Sequence, residues 1–269
     1  MGMRKLIPVV VFTLFVALTS NSCKQKEGKV ATEDQDHLIM SVLWFQKSAE
    51  MRALFVQGYN IASEKLIESV SLKGNDKPLA IVTDIDETIL DNSPFEGWQI
   101  TTGKPFSDET WKGWTDMSSA QPLPGALKFA HLADSLGVEI FYVSNRTVSD
   151  ALESTIANLK SAGFPYADKD HLLLKEDVSS KIVRRNKILE THEIILLIGD
   201  NLADLDGIFE ARDSNLGFDS VDSLSQYFGE KFIVLPNPMY GTWEKPAVIQ
   251  NEGMTLRERL RKSVISLNP

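Results

Sequence analysis

Two hydrophobic patterns alternate along the chain. Short runs that are apolar on both faces occupy 79–82, 194–198 and 232–235; 138–143 is apolar but for Glu139, and 171–174 adds a shorter run after His171. A strand buried on both sides reads this way, as in a parallel sheet covered by helices. Between these runs the apolar residues recur at helical spacing. One predicted helix covers 126–136 and stops at Gly137; another covers 148–162 and stops at Gly163. Thr147 stands three residues before Asp150, a capping-box spacing. A third helix runs from a cap at Ser179 or Ser180 to about residue 189, and a last one covers 255–265. Near the start, Leu43, Met51, Leu54, Phe55, Ala62 and Leu66 recur at helix-like intervals, with Trp44 and Phe45 adding bulk. They predict one or two helices over 37–70, packed beside the sheet. Strand and helix in alternation at these lengths imply βαβ units. The fold class is α/β: a mostly parallel Rossmannoid sheet flanked by helices, with a smaller helical cap addition.

Two stretches break the alternation. Residues 94–124 show little periodicity and hold Trp98, Trp111 and Trp114, three of the five tryptophans. Such an insertion reads as a cap or rim built over a site; its aromatics either grip a ligand or pack the insertion. The second exception is the N-terminus. Arg4 and Lys5 precede an apolar run over 6–18, then Thr19-Ser20-Asn21-Ser22-Cys23. A basic start and a short apolar core read as a signal peptide over 1–22, too short for a comfortable membrane span. Cys23 is the only cysteine, so it makes no internal disulfide. It resembles the lipid-bearing cysteine of a bacterial lipoprotein, although Ser20 stands where the usual lipobox has leucine. The alternative is ordinary cleavage near Cys23 and a soluble secreted protein. Residues 23–36 then form a polar, lipidated tether. Residues 37–269 form one domain, with its core over 77–235 and the stretches 37–70 and 94–124 packed around the site.

Loss of residues 1–22 removes two basic charges and takes the formal net charge from −9 to about −11. An acidic surface repels phosphate backbones and excludes nucleic-acid polymers as partners. Small phosphorylated substrates answer to the local field of a pocket and are not excluded. His37, His131, His171 and His192 form no compact cluster in the sequence, which disfavours histidine-dependent phosphoryl chemistry.

Candidate chemistry lies at the carboxyl ends of the strands, where open α/β sheets bind their ligands. The first strand runs into Asp84-Ile85-Asp86-Glu87. Asp84 and Asp86 fall on one side of an extended chain. Two carboxylates held there repel unless they share a proton or a cation, and a hard divalent ion resolves this with oxygen ligands. An ordinary strand ending in a solvated acidic turn is the bland alternative. Asp200 and Asp204 follow the strand at 194–198; Ser144, Asn145 and Arg146 follow that at 138–143. Lys181, and Lys175 or Arg146 beside it, supply positive charge. Acids with a lysine and a hydroxyl suggest a cation and a phosphoryl group in one pocket.

Four ordered motifs carry a resemblance: AIVTDIDETILDNS around Asp84, FYVSNR over 141–146, KEDVSSK over 175–181 and GDNLAD over 199–204. WFQKSAEMRAL (44–54) and LPNPMYGTWE (235–244) extend it over nearly the whole mature chain. The pattern resembles the class C acid phosphatases, the lipoprotein e(P4) 5′-nucleotidase family of the haloacid-dehalogenase superfamily. The resemblance implies a magnesium-dependent acid phosphomonoesterase with an aspartyl-phosphate intermediate. Asp84 is then the nucleophile, and Asp86 protonates the leaving alcohol and later takes a proton from water. Mg²⁺ is held by Asp84, the backbone carbonyl of Asp86 and Asp200, with Asp204 supporting it. Ser144, the backbone of Asn145 and a lysine bind phosphate. Lys181 is the better choice of lysine: it begins a helix, where anions gather, and its spacing to the fourth motif fits. Lys175 is then a charged surface or supporting residue.

The resemblance further implies aromatics that clasp a nucleoside base. Tyr240 matches such a position, Trp111 is its expected partner, and Arg146 either contacts the leaving group or pairs with a nearby acid. Stacking of this kind tolerates many bases, so 5′-nucleotides and aryl phosphates are the expected substrates. The implied location is the bacterial outer membrane or periplasm, through a lipid on Cys23. The sequence leaves the oligomeric state open, with a homodimer burying part of the aromatic rim as one arrangement it allows. The competing readings are a sugar phosphatase on the same fold and a surface-anchored, non-catalytic ligand-binding lipoprotein. The presence of Asp84 argues against the last.

Overall fold

A computed structural model describes Gly2 and residues 35–264, apart from 73, 75, 76, 213 and 214. Residues 1–32 separate by their contacts from 33–269, and the elements below belong to the second unit. The signal-peptide stretch, Cys23 and the tether up to residue 34 lie outside the described residues. Gln35 and Asp36, expected to end the tether, instead begin a 3₁₀ turn, Gln35–Leu38, in which Gln35 is buried.

The N-terminal pattern resolves into two helices, α1 (Ile39–Lys47) and α2 (Ala49–Ser71). Ser48 divides them: its backbone is extended, and its hydroxyl accepts from Met51 N at 3.1 Å, an N-cap that starts a new helix. Leu43 and Leu54, expected in the core, face solvent instead. The sheet follows, as β1 (Leu79–Thr83), β4 (Glu139–Thr147), β5 (Leu172–Lys175), β6 (Glu193–Gly199) and β7 (Phe232–Val234), all parallel, in the order β5-β4-β1-β6-β7. Every residue of β1 is buried. Ile81 joins one hydrophobic layer; Ala80 and Val82 join the other, as the two-residue period of a strand requires. The first layer holds Phe55 and Tyr59 of α2, Phe129 of α5 (Ala126–Ser135) and Leu159 of α6 (Val148–Ala162). The second holds Ile188 of α7 (Ile182–Thr191) with Leu205, Phe209 and Phe232. Helices on both faces explain why these strands read as unbroken apolar runs.

The insertion is more ordered than its sequence suggests. It leaves and re-enters through a short antiparallel pair, β2 (Leu90–Asp91) and β3 (Gln121–Pro122), with Leu90 opposite Pro122. Between them stand α3 (Ser93–Thr102) and α4 (Asp108–Asp116). Phe95 packs on Trp98 at 5.7 Å and on Trp111 at 5.2 Å, and Phe106 lies 6.2 Å from Trp111. These contacts are aromatic and local, so no single stripe repeats along the sequence.

Three ends differ from their sequence-based expectation. β4 runs on to Thr147, with a register shift between Ser144 and Thr147, so Ser144, Asn145 and Arg146 lie in the strand's irregular end. Thr147 donates to the Asp150 carboxylate at 2.9 Å and makes no cap to the α6 backbone. At α7 the N-cap position is Lys181; Ser180 accepts from Ile182 N at 3.3 Å and donates to Glu210 at 2.6 Å. Three short elements close the chain: α8 (Phe218–Ser223), α9 (Glu244–Ala247) and α10 (Leu256–Ser263), the last with a capping box between Thr255 and Glu258. Among the described residues, no helix is long and apolar enough to cross a membrane.

Candidate active site

The carboxyl ends of β1, β4 and β6 meet at a cavity of about 440 Å³, within the range of small-ligand sites. Asp84 follows β1 directly, and its backbone N–H donates to Ile198 O of β6 at 2.9 Å, so strand pairing sets its place. Its Oδ1 lies 2.5 Å from Lys181 Nζ, which also reaches Asp204 Oδ1 at 2.7 Å. Lys181 and Asp84 are buried. Lys175, at the end of β5, is not part of the cavity lining.

Asp200 and Asp204 come from the turn after β6. Asp204 folds back so that its carboxylate accepts from Asn201 N at 3.0 Å. It passes so close to Gly199 that a Cβ there would lie 2.5 Å from Asp204 Cβ. Asp200 is held on three sides: its N–H donates to Thr88 Oγ1 at 3.1 Å, Thr88 Oγ1 donates to its Oδ1 at 3.2 Å, and Asn237 Nδ2 donates to its Oδ2 at 2.9 Å. Asp84, Asp200 and Asp204 each offer an oxygen within 4.8 Å of the others, and they form the carboxylate group fit for a metal ion among the described residues.

The charge in this group is unbalanced. Burial pushes the Asp84 carboxyl well above its usual range; Lys181 opposes this, while Asp204, Asp200 and Asp86 add to it. Burial, then Asp204, push Asp200 up to about 7, against the pull of Asn237 and Lys181. Burial works against the Lys181 ammonium, yet Asp204 and Asp84 outweigh it and hold its pKa above the ordinary value. Crowded carboxylates with one lysine between them are protonated in part or take up a cation. An oxygen-only donor set, with Asp200 oriented by neighbouring donors, fits a hard divalent ion.

Asp86 lines the same cavity, with its carboxylate held by other partners. Arg146 donates to it from Nη2 at 2.7 Å and from Nε at 3.0 Å, and Asn92 Nδ2 donates at 2.8 Å. Ser144 Oγ reaches its other oxygen at 3.3 Å. Arg146, expected to touch either a leaving group or an acid, is thus paired with an acid, and its remaining Nη1 donates to Thr155 Oγ1 at 3.1 Å. The ring of Trp111 lies 5.7 Å below the guanidinium. Arg184 holds the β4 end by donating to Ser144 O at 2.6 Å and to Asn145 Oδ1 at 2.7 Å.

Trp111 and Tyr240 both line the cavity, with Phe106 and Met239. Tyr240 has a second tie: its hydroxyl donates to the buried carboxyl of Glu87. Burial, then Asp86 and Asp200, push that carboxyl well up. His37 lines the cavity too. His171 and His192, separate in sequence, meet at Glu139 at 3.1 and 3.3 Å, at the start of β4 and far along the strand from Ser144. Several residues here carried no individual sequence assignment: Thr88, Asn92, Arg184 and Asn237, and Trp114 beyond its place among the insertion's aromatics. Thr88, Asn92 and Asn237 lie inside the quoted motifs, which was the available signal; Trp114 and Arg184 offered none beyond residue type.

Fold and site together define a class: an α/β protein built on a Rossmann-type parallel sheet, with a group of aspartates and one lysine at the strand ends. A family model described as HAD superfamily, subfamily IIIB (acid phosphatase), matches residues 16–243. The chain belongs to that family. It superposes on the class C acid phosphatase of Bacillus anthracis with a TM-score of 0.80 at 37% identity, covering 88% of this chain and 100% of that one. The tungstate-bound form of the Bacillus anthracis enzyme gives 0.80 at 36% identity, covering 87% and 99%. Plant relatives are more distant. A stem 31 kDa glycoprotein of Glycine max is 31% identical over 163 residues, 58% of this chain and 57% of its own length. Acid phosphatase 1 of Solanum lycopersicum is 29% identical over 181 residues, 64% of this chain and 62% of its own. The chain thus spans less than two thirds of these plant proteins.

Proposed function

We propose that the protein is a magnesium-dependent acid phosphomonoesterase that turns over through a phosphorylated Asp84, with 5′-nucleotides and aryl phosphates as substrates. The observation that carries this reading is Lys181 set between Asp84 and Asp204, at 2.5 and 2.7 Å, with Asp200 within reach of both acids. A nucleophile, a phosphate-binding cation and a metal-binding carboxylate group then share one buried pocket.

Asp84 attacks phosphorus and the bond to the leaving oxygen breaks, while a proton from Asp86 passes to that oxygen. Lys181, Ser144 Oγ and the backbone N–H of Asn145 hold the other phosphate oxygens. Water then attacks the acyl phosphate, Asp86 takes its proton, and inorganic phosphate leaves with Asp84 restored. Asp84, Asp200 and the backbone carbonyl of Asp86 would hold Mg²⁺, with Asp204 beside them. Bound there, the ion supplies charge neutralisation between two anions, the nucleophile and the phosphate.

Trp111 and Tyr240 on the cavity wall support a flat leaving group stacked between aromatics. The N-terminal pattern of a basic start, an apolar run and Cys23 supports a lipid anchor at the outer membrane or in the periplasm. The test is phosphate release from AMP, nicotinamide mononucleotide, an aryl phosphate and a sugar phosphate, with Mg²⁺ and with EDTA. Metal-dependent turnover favouring the first three is expected. Preference for the sugar phosphate would remove the aromatic account and keep the mechanism; full activity in EDTA would remove the metal.

A further inference from the structure

The two oxygens of the Asp86 carboxylate are treated differently by the protein. Oδ1 accepts from Arg146 Nη2 at 2.7 Å, Asn92 Nδ2 at 2.8 Å and Arg146 Nε at 3.0 Å. Oδ2 has only long contacts, to Arg146 Nε at 3.2 Å and Ser144 Oγ at 3.3 Å. Three donors saturate Oδ1, and a hydrogen placed there would face other hydrogens. A proton carried by this residue therefore belongs on Oδ2, the oxygen beside the phosphate-binding Ser144.

That asymmetry depends on which way the Asn92 amide points. Its two ends have nearly the same shape, and a flipped amide would set an oxygen against Oδ1 of Asp86. Trp114 decides the matter: its indole Nε1–H, a donor only, donates to Asn92 Oδ1 at 2.8 Å. The Asn92 N–H₂ is thereby aimed at Asp86. Asn92 is fully buried, so water offers no substitute donor or acceptor. Trp114 belongs to α4, in the insertion over the site. Arg146 in turn cannot slide along the carboxylate, because its Nη1 is tied to Thr155 Oγ1 at 3.1 Å.

We infer that Trp114 and Asn92 are positioning residues that, with Arg146, reserve Oδ2 of Asp86 for proton delivery to the leaving group. The inference rests on the aspartyl-phosphate reading above. In the step concerned, the bond from Asp84 to phosphorus forms, the ester P–O bond breaks, and the proton on Asp86 Oδ2 moves to the departing oxygen. An alkoxide needs that proton to leave; a nitrophenolate departs without it. The cost of misplacing the acid therefore depends on the leaving group, and the cost of a merely loosened fold does not.

The experiment compares kcat/KM for 4-nitrophenyl phosphate and for a simple alkyl phosphate in the full protein, Trp114→Phe and Asn92→Ala. Trp114→Phe keeps an aromatic ring and removes the indole donor; Asn92→Ala removes the amide outright and tests the same link if the first variant folds poorly. General acid catalysis contributes about 10²–10⁴-fold, so the aryl-to-alkyl ratio is expected to rise at least about tenfold in both variants. Equal losses on both esters, or an unchanged ratio in both variants, would overturn the inference. No turnover of either ester by the unaltered protein would fall on the proposed function itself, and on this inference with it.

Discussion

Glu96 shows how one buried carboxyl links the cavity to stability. It is 5% exposed, accepts from Gln99 Nε2 at 2.6 Å, and is pushed from 4.5 up to about 7 by burial and then by Glu244. Between about pH 4.5 and 7 the folded protein keeps a proton there that the unfolded chain has lost. Stability therefore falls as pH rises through that window and levels off above it. Glu96→Gln removes the penalty, and is expected to stabilise the protein by about 3 kcal/mol at pH 8. The gain should vanish near pH 4, as urea midpoints at the two pH values would reveal. A gain that persists at pH 4 would mean packing, and not charge, is responsible. Residue types made part of the site legible in the sequence: acids at strand ends, a lysine at a helix start and a serine on a neighbouring strand end. Asn92, Asn237 and Trp114 were not, because an amide or an indole has no role until its partner is known. Asn237 meets Asp200 across 37 positions and Trp114 meets Asn92 across 22.

The elements that position the site are short and tightly fitted. The turn after β6 works only because residue 199 has no side chain: Asp204 lies where a Cβ would be. Gly199→Ala is expected to displace Asp204 and with it the Lys181 contact. The cost should be about 1–3 kcal/mol in stability, with loss of metal-dependent turnover, checked by thermal unfolding and phosphate release on the same preparation. Wild-type turnover in this variant would show that Asp204 has room elsewhere. Between the N-terminal helices, Ser48 caps α2 through Met51 N. Ser48→Ala is expected to cost about 1 kcal/mol with kcat unchanged, since neither Ser48 nor Met51 lines the cavity. Strands were the most legible elements, since burial on both faces leaves a plain apolar run. The insertion was the least legible. Its helices α3 and α4 are held by Phe95, Trp98, Phe106 and Trp111 packing on one another, and such a cluster has no fixed period. Leu43 and Leu54 erred the other way: their spacing fits a helix, but spacing does not say which face meets the sheet.

Over the whole molecule, sheet order and site are one arrangement. With β1 in the middle, flanked by β4 and β6, the residues that follow all three strands open onto a single crevice, as open parallel sheets favour. Asp84 sits at its centre, and the insertion over 90–122 adds Glu96, Gln99, Phe106 and Trp111 to the cavity wall, while its Asn92, held by Trp114, reaches Asp86. The central claim is that Asp84 becomes covalently phosphorylated in turnover. Borohydride trapping during steady-state hydrolysis tests it most directly, because reduction of an aspartyl phosphate leaves homoserine that peptide mass spectrometry can place. The account predicts homoserine at position 84 in the active protein with Mg²⁺, and none with EDTA or in Asp84→Asn. Rapid hydrolysis with no modification at 84, or with equal turnover in Asp84→Asn, would contradict it.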